Sequence, residues 1–355
     1  MPFAPRPAAW ILLLSLAPIA SVIAETPPTP PAQPQRGPGG ATYPHQSLRS
    51  WSQGEGADLC WVFEPDQPRP ADAPVIVFLH GWAATNPSIY GGWIKHLVRR
   101  GNLVIYPRYQ ANARDRPDRV TPRALSAVGR ALRRLRSGGG GVAPRESQFA
   151  ITGHSVGGIL TANLAALAAD NGLPVPRAIM SIQPGISRRA GFWRGVPLEN
   201  LARIPGECLV LVVVGDRDRV TGEADGRRIF RQSSAVPNSN KAYVRLVTDT
   251  HGSPPLLAGH MAPVAWSELG PMQSLKQSQG PVGRSFGSQL TLAYQQHSTD
   301  AMDYYGLWRR FDALCAAAFD RRHRDLALGP GPVQANMGKW SDGTPVTPAM
   351  VVDQP

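Results

Sequence analysis

Short apolar runs alternate along the chain with longer stretches whose apolar residues recur at helical spacing. Residues 75–79 are continuously apolar, the pattern of a strand buried on both faces. Residues 59–63, 103–106, 149–152, 178–182, 208–214 and 243–247 read the same way. Residues 89–100 read as a helix that Gly101 stops. Thr121 and Pro122 offer an N-cap and a first helical position for a helix running to residue 136, ahead of the glycine run 138–141. An Ala/Leu-rich helix over 155–169 follows the 149–152 strand directly. Near the end, Met302, Tyr305, Trp308, Phe311, Leu314, Cys315 and Phe319 recur as a core-facing helical stripe. Strands alternating with helices predict an α/β fold, with a mostly parallel sheet covered by helices on both faces.

The segments outside this pattern divide the chain. Residues 1–24 read as a secretory signal: Arg6 in the leading region, then an apolar stretch broken by Pro18, then Val22 and Ala24 at the positions a signal peptidase reads. The apolar run is shorter than the ~20 residues a membrane span needs, so a secreted or periplasmic protein without stable membrane insertion is expected. Residues 25–41 are rich in Pro, Thr, Gln and Gly and read as a disordered spacer. One globular domain is expected over 42–328, with 184–205 and 252–298 as insertions that could form a small lid. Residues 329–355 read as an irregular tail over the surface.

Composition changes this picture little. Apolar residues make up 42% of the 355, enough for a sizeable core. The formal net charge of +12 could attract anionic polymers, which leaves a polyanion-binding surface protein as one reading. No Lys/Arg block interleaves with aromatics, so nucleic acid is not expected as a partner and the arginines read as a solvated surface. Cys60, Cys208 and Cys315 allow three single pairings and always leave one thiol over; no bridge is assigned. Without a CxxC or a His/Cys cluster, no metal is expected.

The chemistry concentrates at strand ends. Gly153, His154, Ser155, Val156 and Gly157 form G-x-S-x-G between a strand and a helix. A sharp turn there strains the serine backbone and exposes its Oγ, and glycines two residues to either side have no Cβ to collide with strand or helix. Ser155 is the predicted nucleophile, and His154 is read as structural. His80, Gly81 and Trp82 follow a buried strand, where a loop supplies a backbone N–H to an oxyanion hole; Trp82 and Val156 are the predicted donors. Asp216 and Asp218 follow the 208–214 strand, and Asp218 is preferred because Asp216 suits turn hydrogen bonds; Asp225 is a third candidate. The base should follow the last strand. His251 has the better distance from the strand end and is preferred over His260.

With these motifs the chain resembles the α/β-hydrolase superfamily over residues 58–255, and most of all its secreted esterase and dienelactone-hydrolase-like branches. Dienelactone hydrolases use cysteine as nucleophile where this chain has Ser155. The resemblance implies an eight-stranded, mostly parallel sheet, no cofactor, and hydrolysis of a small-molecule or polymeric carboxylic ester through Ser155, Asp218 and His251. Peptidase, thioesterase or acyltransferase chemistry on the same scaffold stays open, as does a non-catalytic binding protein. The sequence leaves the oligomeric state open.

Overall fold

A computed structural model describes Met1 and residues 26–112, 114–139, 141–187, 195–269 and 299–355. Residues 2–24 of the predicted signal segment, 188–194 of the first predicted insertion and 270–298 of the second lie outside the described residues. Among the described residues nine strands form one sheet: β1 (Ser47–Gln53), β2 (Cys60–Asp66), β3 (Asp72–Leu79), β4 (Leu103–Pro107), β5 (Ala143–His154), β6 (Ala178–Ile182), β7 (Leu209–Gly215), β8 (Lys241–Leu246) and β9 (Met350–Val351). Their spatial order is β1-β2-β4-β3-β5-β6-β7-β8-β9. The sheet is parallel from β4 through β8, and antiparallel pairs sit at its two ends. This is the α/β-hydrolase fold.

The pleat sends alternate residues of each central strand into two separate cores. Ile76 and Phe78 of β3 join one core, which α1 (Gly91–Arg99) and α5 (Arg309–Asp320) cover with Trp93, Ile94, Leu97, Phe311 and Leu314. Val75, Val77 and Leu79 join the other, covered by α2 (Val120–Arg136), α3 (Val156–Leu167) and α4 (Ala224–Gln232). Each fully buried large apolar side chain here stabilises the fold by about 1.5–3 kcal/mol. That is why both faces of β3, β5, β6 and β7 read as continuous apolar runs.

Several boundaries differ from expectation for local reasons. Thr121 does not cap α2, because a 3-10 turn over Pro117–Arg119 leads into the helix and Val120 opens it. The buried Thr121 hydroxyl instead accepts from Asn163 Nδ2 at 3.1 Å. Strand β1 escaped the reading because its face alternates half-buried and exposed residues with few apolar ones. Trp51 still anchors it: Nε1 donates to Glu64 Oε1 at 2.7 Å, and the Arg134 guanidinium lies 4.2 Å over its ring. The C-terminal stripe forms a π-helical segment, Met302–Trp308, that runs straight into α5.

The termini give the two main corrections. The described part of the expected disordered spacer is laid down on the domain. Pro28 O accepts from Ser253 N at 2.8 Å, Ser341 N donates to Thr29 O at 3.1 Å, and Gly39 N donates to the buried Asp312 at 2.8 Å. The segment lacks apolar side chains, but its backbone groups find partners far away in sequence, and composition cannot reveal that. Helix α6 (Arg324–Leu328) leads into the tail, which carries α7 (Pro332–Ala335) and then adds β9, so among the described residues the sheet has nine strands rather than eight. Arg310 fastens the tail: buried, it donates to Gln334 O at 2.6 Å. The three cysteines are free thiols, and burial pushes Cys60 up to about 12.

Candidate active site

Ser155 lies between β5 and α3 with φ +59° and ψ −121°, a strained conformation for a side chain with a Cβ. The turn is possible because its flanking glycines touch backbone. A Cβ on Gly153 would stand 2.4 Å from Gly157 O, and one on Gly157 would stand 2.1 Å from Leu79 O. The end of β6 brackets the serine: Ser155 N donates to Ile182 O at 3.0 Å, and Gly185 N donates to Ser155 O at 3.2 Å. Val156 opens α3, so its N–H has no intrahelical acceptor and points from the positive end of the helix.

The loop after β3 packs against the nucleophile. A Cβ on Gly81 would come 3.4 Å from Ser155 Cβ. Ala84 N closes a turn onto Gly81 O at 3.0 Å, and Gln110 Oε1 accepts from Ala83 N at 3.0 Å. His80 is buried beneath, its Nε2 2.6 Å from Arg108 O and its Nδ1 2.7 Å from Gly81 O. Burial lowers its pKa to about 4, so the ring is a neutral brace. Trp82 thus sits on the loop that packs against Ser155 through Gly81. Its side chain is partly buried against the α2/α3 core.

Asp218 comes off the end of β7. Its Oδ1 accepts from Val220 N at 2.9 Å and Thr221 N at 3.0 Å, and its Oδ2 accepts from Thr221 Oγ1 at 2.7 Å. Burial alone would raise the carboxyl. The hydrogen bonds from His260 and Thr221 outweigh it and bring the pKa to about 2, so the group is a carboxylate. The rival acids are engaged elsewhere. Asp216 accepts from Thr248 N at 3.1 Å and Oγ1 at 2.8 Å, and Asp225 accepts from Ser187 N at 2.7 Å and Arg228 Nη1 at 3.0 Å.

The base position requires a correction. His260, not His251, reaches Ser155. His260 Nδ1 lies 2.9 Å from Asp218 Oδ2, and Nε2 lies 3.1 Å from Ser155 Oγ. Asp218 has no proton to give, so Nδ1 carries it and Nε2 is left free to accept from the serine hydroxyl. His251 is held away by long-range contacts. An antiparallel bridge between Asp249 and Leu256 turns residues 249–256 into an excursion, and Asp249 is pinned by Trp340 Nε1 at 3.2 Å and Thr347 N at 2.7 Å. His251 therefore faces the tail, where Nε2 lies 2.7 Å from Asp342 Oδ2 with the side chain 40% exposed. Counting from the strand end favoured His251 because the excursion is invisible without its distant partners. The Gly259–His260 pair was the one local signal for the histidine that reaches Ser155.

His154 is buried beside the base, its ring centroid 4.7 Å from that of His260. Its Nδ1 lies 2.9 Å from the Tyr90 hydroxyl, which also accepts from Gly81 N at 3.1 Å. Burial first, and the neighbouring His260 second, hold its pKa well below the ordinary histidine value. It is a neutral packing partner. Among the described residues no three His, Cys, Asp or Glu side chains are placed to share a metal ion.

A family model described as alpha/beta hydrolase fold matches residues 76–199. The match takes in the His80–Gly81 loop and the Ser155 turn. Asp218 and His260 lie beyond it, so their assignment rests on the geometry alone. No curated protein matches the chain.

Proposed function

We propose that the protein is a serine hydrolase that cleaves carboxylic esters through Ser155, His260 and Asp218. The observation that carries this reading is the continuous line from Asp218 through His260 to Ser155 Oγ, with contacts of 2.9 and 3.1 Å. The matched fold suggests hydrolase activity in general. The nucleophile on a strained turn and a histidine whose Nδ1 faces a carboxylate while Nε2 faces the serine add the acyl-transfer chemistry.

His260 Nε2 takes the proton as Ser155 Oγ attacks the ester carbonyl. The charge that develops on the carbonyl oxygen is held by the N–H groups of Trp82 and Val156. Asp218 stays ionised, orients the ring and stabilises the imidazolium. His260 returns the proton to the departing alkoxide. Water, activated by the same ring, then hydrolyses the acyl-enzyme. The apolar leader ending in Val22 and Ala24 supports action outside the cytoplasm, on a small-molecule or polymeric ester.

A fluorophosphonate probe and a panel of nitrophenyl esters, thioesters and peptides test the reading. The protein should label once per chain, prefer the oxygen esters, and lose both labelling and turnover in Ser155→Ala. A wild-type protein that neither labels nor turns over any ester would refute it.

A further inference from the structure

One further residue, Gln183, links the acid and base loops beside the Ser155 turn. Gln183 is the first residue beyond β6 and is 1% exposed. Its left-handed backbone, φ +43°, is unusual for glutamine and turns the chain out of the sheet. Gln183 N donates to Val213 O at 2.7 Å, which fixes it to β7 just ahead of the acid loop. Its carbonyl lies 3.1 Å from Thr221 Oγ1, the hydroxyl that donates to Asp218 Oδ2 at 2.7 Å. Its side chain crosses to the base loop, where Nε2 donates to Gly259 O at 2.7 Å, one residue before His260. Its neighbours Ile182 and Gly185 hold the Ser155 backbone on either side.

Room for this crossing is built in. A Cβ on Gly215 would stand 2.8 Å from Gln183 Nε2 and 2.1 Å from Ala258 O, so the glycine at the end of β7 lets amide and base loop close over it. Arg217 N also donates to Ala258 O at 3.1 Å. The base loop is therefore held near its turn from several sides: by the acid loop backbone, by the Gln183 amide, and by Thr248 Oγ1, which accepts from Ala258 N at 3.1 Å.

We infer that Gln183 is a positioning residue for this active site: its amide N–H fixes the base loop through the Gly259 carbonyl, and so sets the His260 ring between Ser155 and Asp218. The inference rests on the serine-hydrolase reading above. Gln183 touches neither the serine hydroxyl nor the histidine ring. It acts on catalysis through where the ring stands, and small misplacements of a base are costly.

Two variants test it with short-chain nitrophenyl esters. Gln183→Met keeps the length of the side chain and removes the donor. It should melt with the wild type and keep KM within about two-fold, while kcat falls roughly 10–100-fold. Gln183→Glu can donate to Gly259 O only while its carboxyl is protonated. Its rate should fall as pH rises through the titration of the new group, an alkaline limb that the wild type lacks. A merely structural glutamine would not produce that limb. Wild-type kcat in Gln183→Met, or a Gln183→Glu profile parallel to wild type, overturns the inference. If Gln183→Met fails to fold, the Gln183→Glu profile decides alone. A wild-type protein that does not label with fluorophosphonate removes the serine-hydrolase reading itself, and is distinguished from the other failures by that.

Discussion

Two histidines nine residues apart each face an aspartate, and only one pair is built for chemistry. His251 lies 2.7 Å from Asp342, and His260 lies 2.9 Å from Asp218. The shorter contact is on the surface, its two side chains 40% and 39% exposed; the longer one is enclosed, at 11% and 0%. An exposed pair contributes little, because water screens it and competes for both partners. The enclosed pair has a third member, Ser155 Oγ, and an aspartate kept ionised by four hydrogen bonds. A His–Asp contact is therefore no mark of a catalytic base. Enclosure and a reactive third group are.

The loops behind the two pairs divide the same way. Residues 249–256 dock both termini. Gly252 stands so close to the N-terminal segment and to Trp340 that a Cβ would meet Pro28 O at 2.1 Å and the indole at 2.5 Å. Residues 258–260 dock the acid loop and Gln183. One stretch of chain serves as an anchor and the next as part of a reaction centre.

The sharpest way to break this comparison is to exchange the losses. His260→Ala should cost on the order of 10⁶-fold in kcat, as removing the base of such a unit does elsewhere, with melting close to wild type. Steady-state hydrolysis of a nitrophenyl ester checks it. Retention of more than a few per cent of activity would return the base to another residue.

Asp218→Asn comes next. It should cost about 10⁴-fold in kcat, because the amide leaves His260 in the wrong tautomer. The same substitution alters acid stability in a direction set by the depressed carboxyl. The carboxyl titrates at about 2 in the folded chain, below its ordinary value near 3.9, so its stabilisation is fully present above pH ~4 and is lost as pH falls through 2. The wild type should lose about 2 kcal/mol from this group between those pH values, and Asp218→Asn should lack that loss. Denaturant midpoints at pH 4 and pH 2 measure it. Parallel acid losses in both proteins would mean the carboxylate is not specially held.

Much of this was legible in the chain, and the boundary has a physical meaning. The Ser155 turn was readable because strand, tight turn and helix are encoded within about ten residues, and the apolar runs on either side declare them. Asp218 was readable because Gly215 and the loop after β7 are equally local. His260 was not, since its position depends on bonds from Asp249 to Trp340 and Thr347 and from Ser253 to Pro28. The spacer and the tail failed for the same reason. The spacer buries little apolar surface, and the tail buries Met337, Trp340, Val346 and Ala349 only against a core built by distant parts of the chain; backbone groups also pair across hundreds of positions, as Thr29 does with Ser341. Gln183 gave no signal because its work is done by one amide and an unusual φ.

The smallest expected effect is the most telling one. His251→Ala removes a contact with an exposed aspartate and an edge-on contact with Trp340 at 5.8 Å. The carboxylate left behind remains in water, so no buried charge is stranded. The excursion stays closed, because Asp249 holds Trp340 and Thr347 without the imidazole and takes the backbone N–H of residue 251 at 2.9 Å whatever side chain stands there. The variant should therefore keep kcat and KM within about two-fold of wild type, the range expected of a surface change away from the reacting atoms. Kinetics of His251→Ala and His260→Ala side by side read this directly. A large loss of kcat in His251→Ala, with melting unchanged, would show that the loop reorganises during turnover and that the enclosed pair is not the working one.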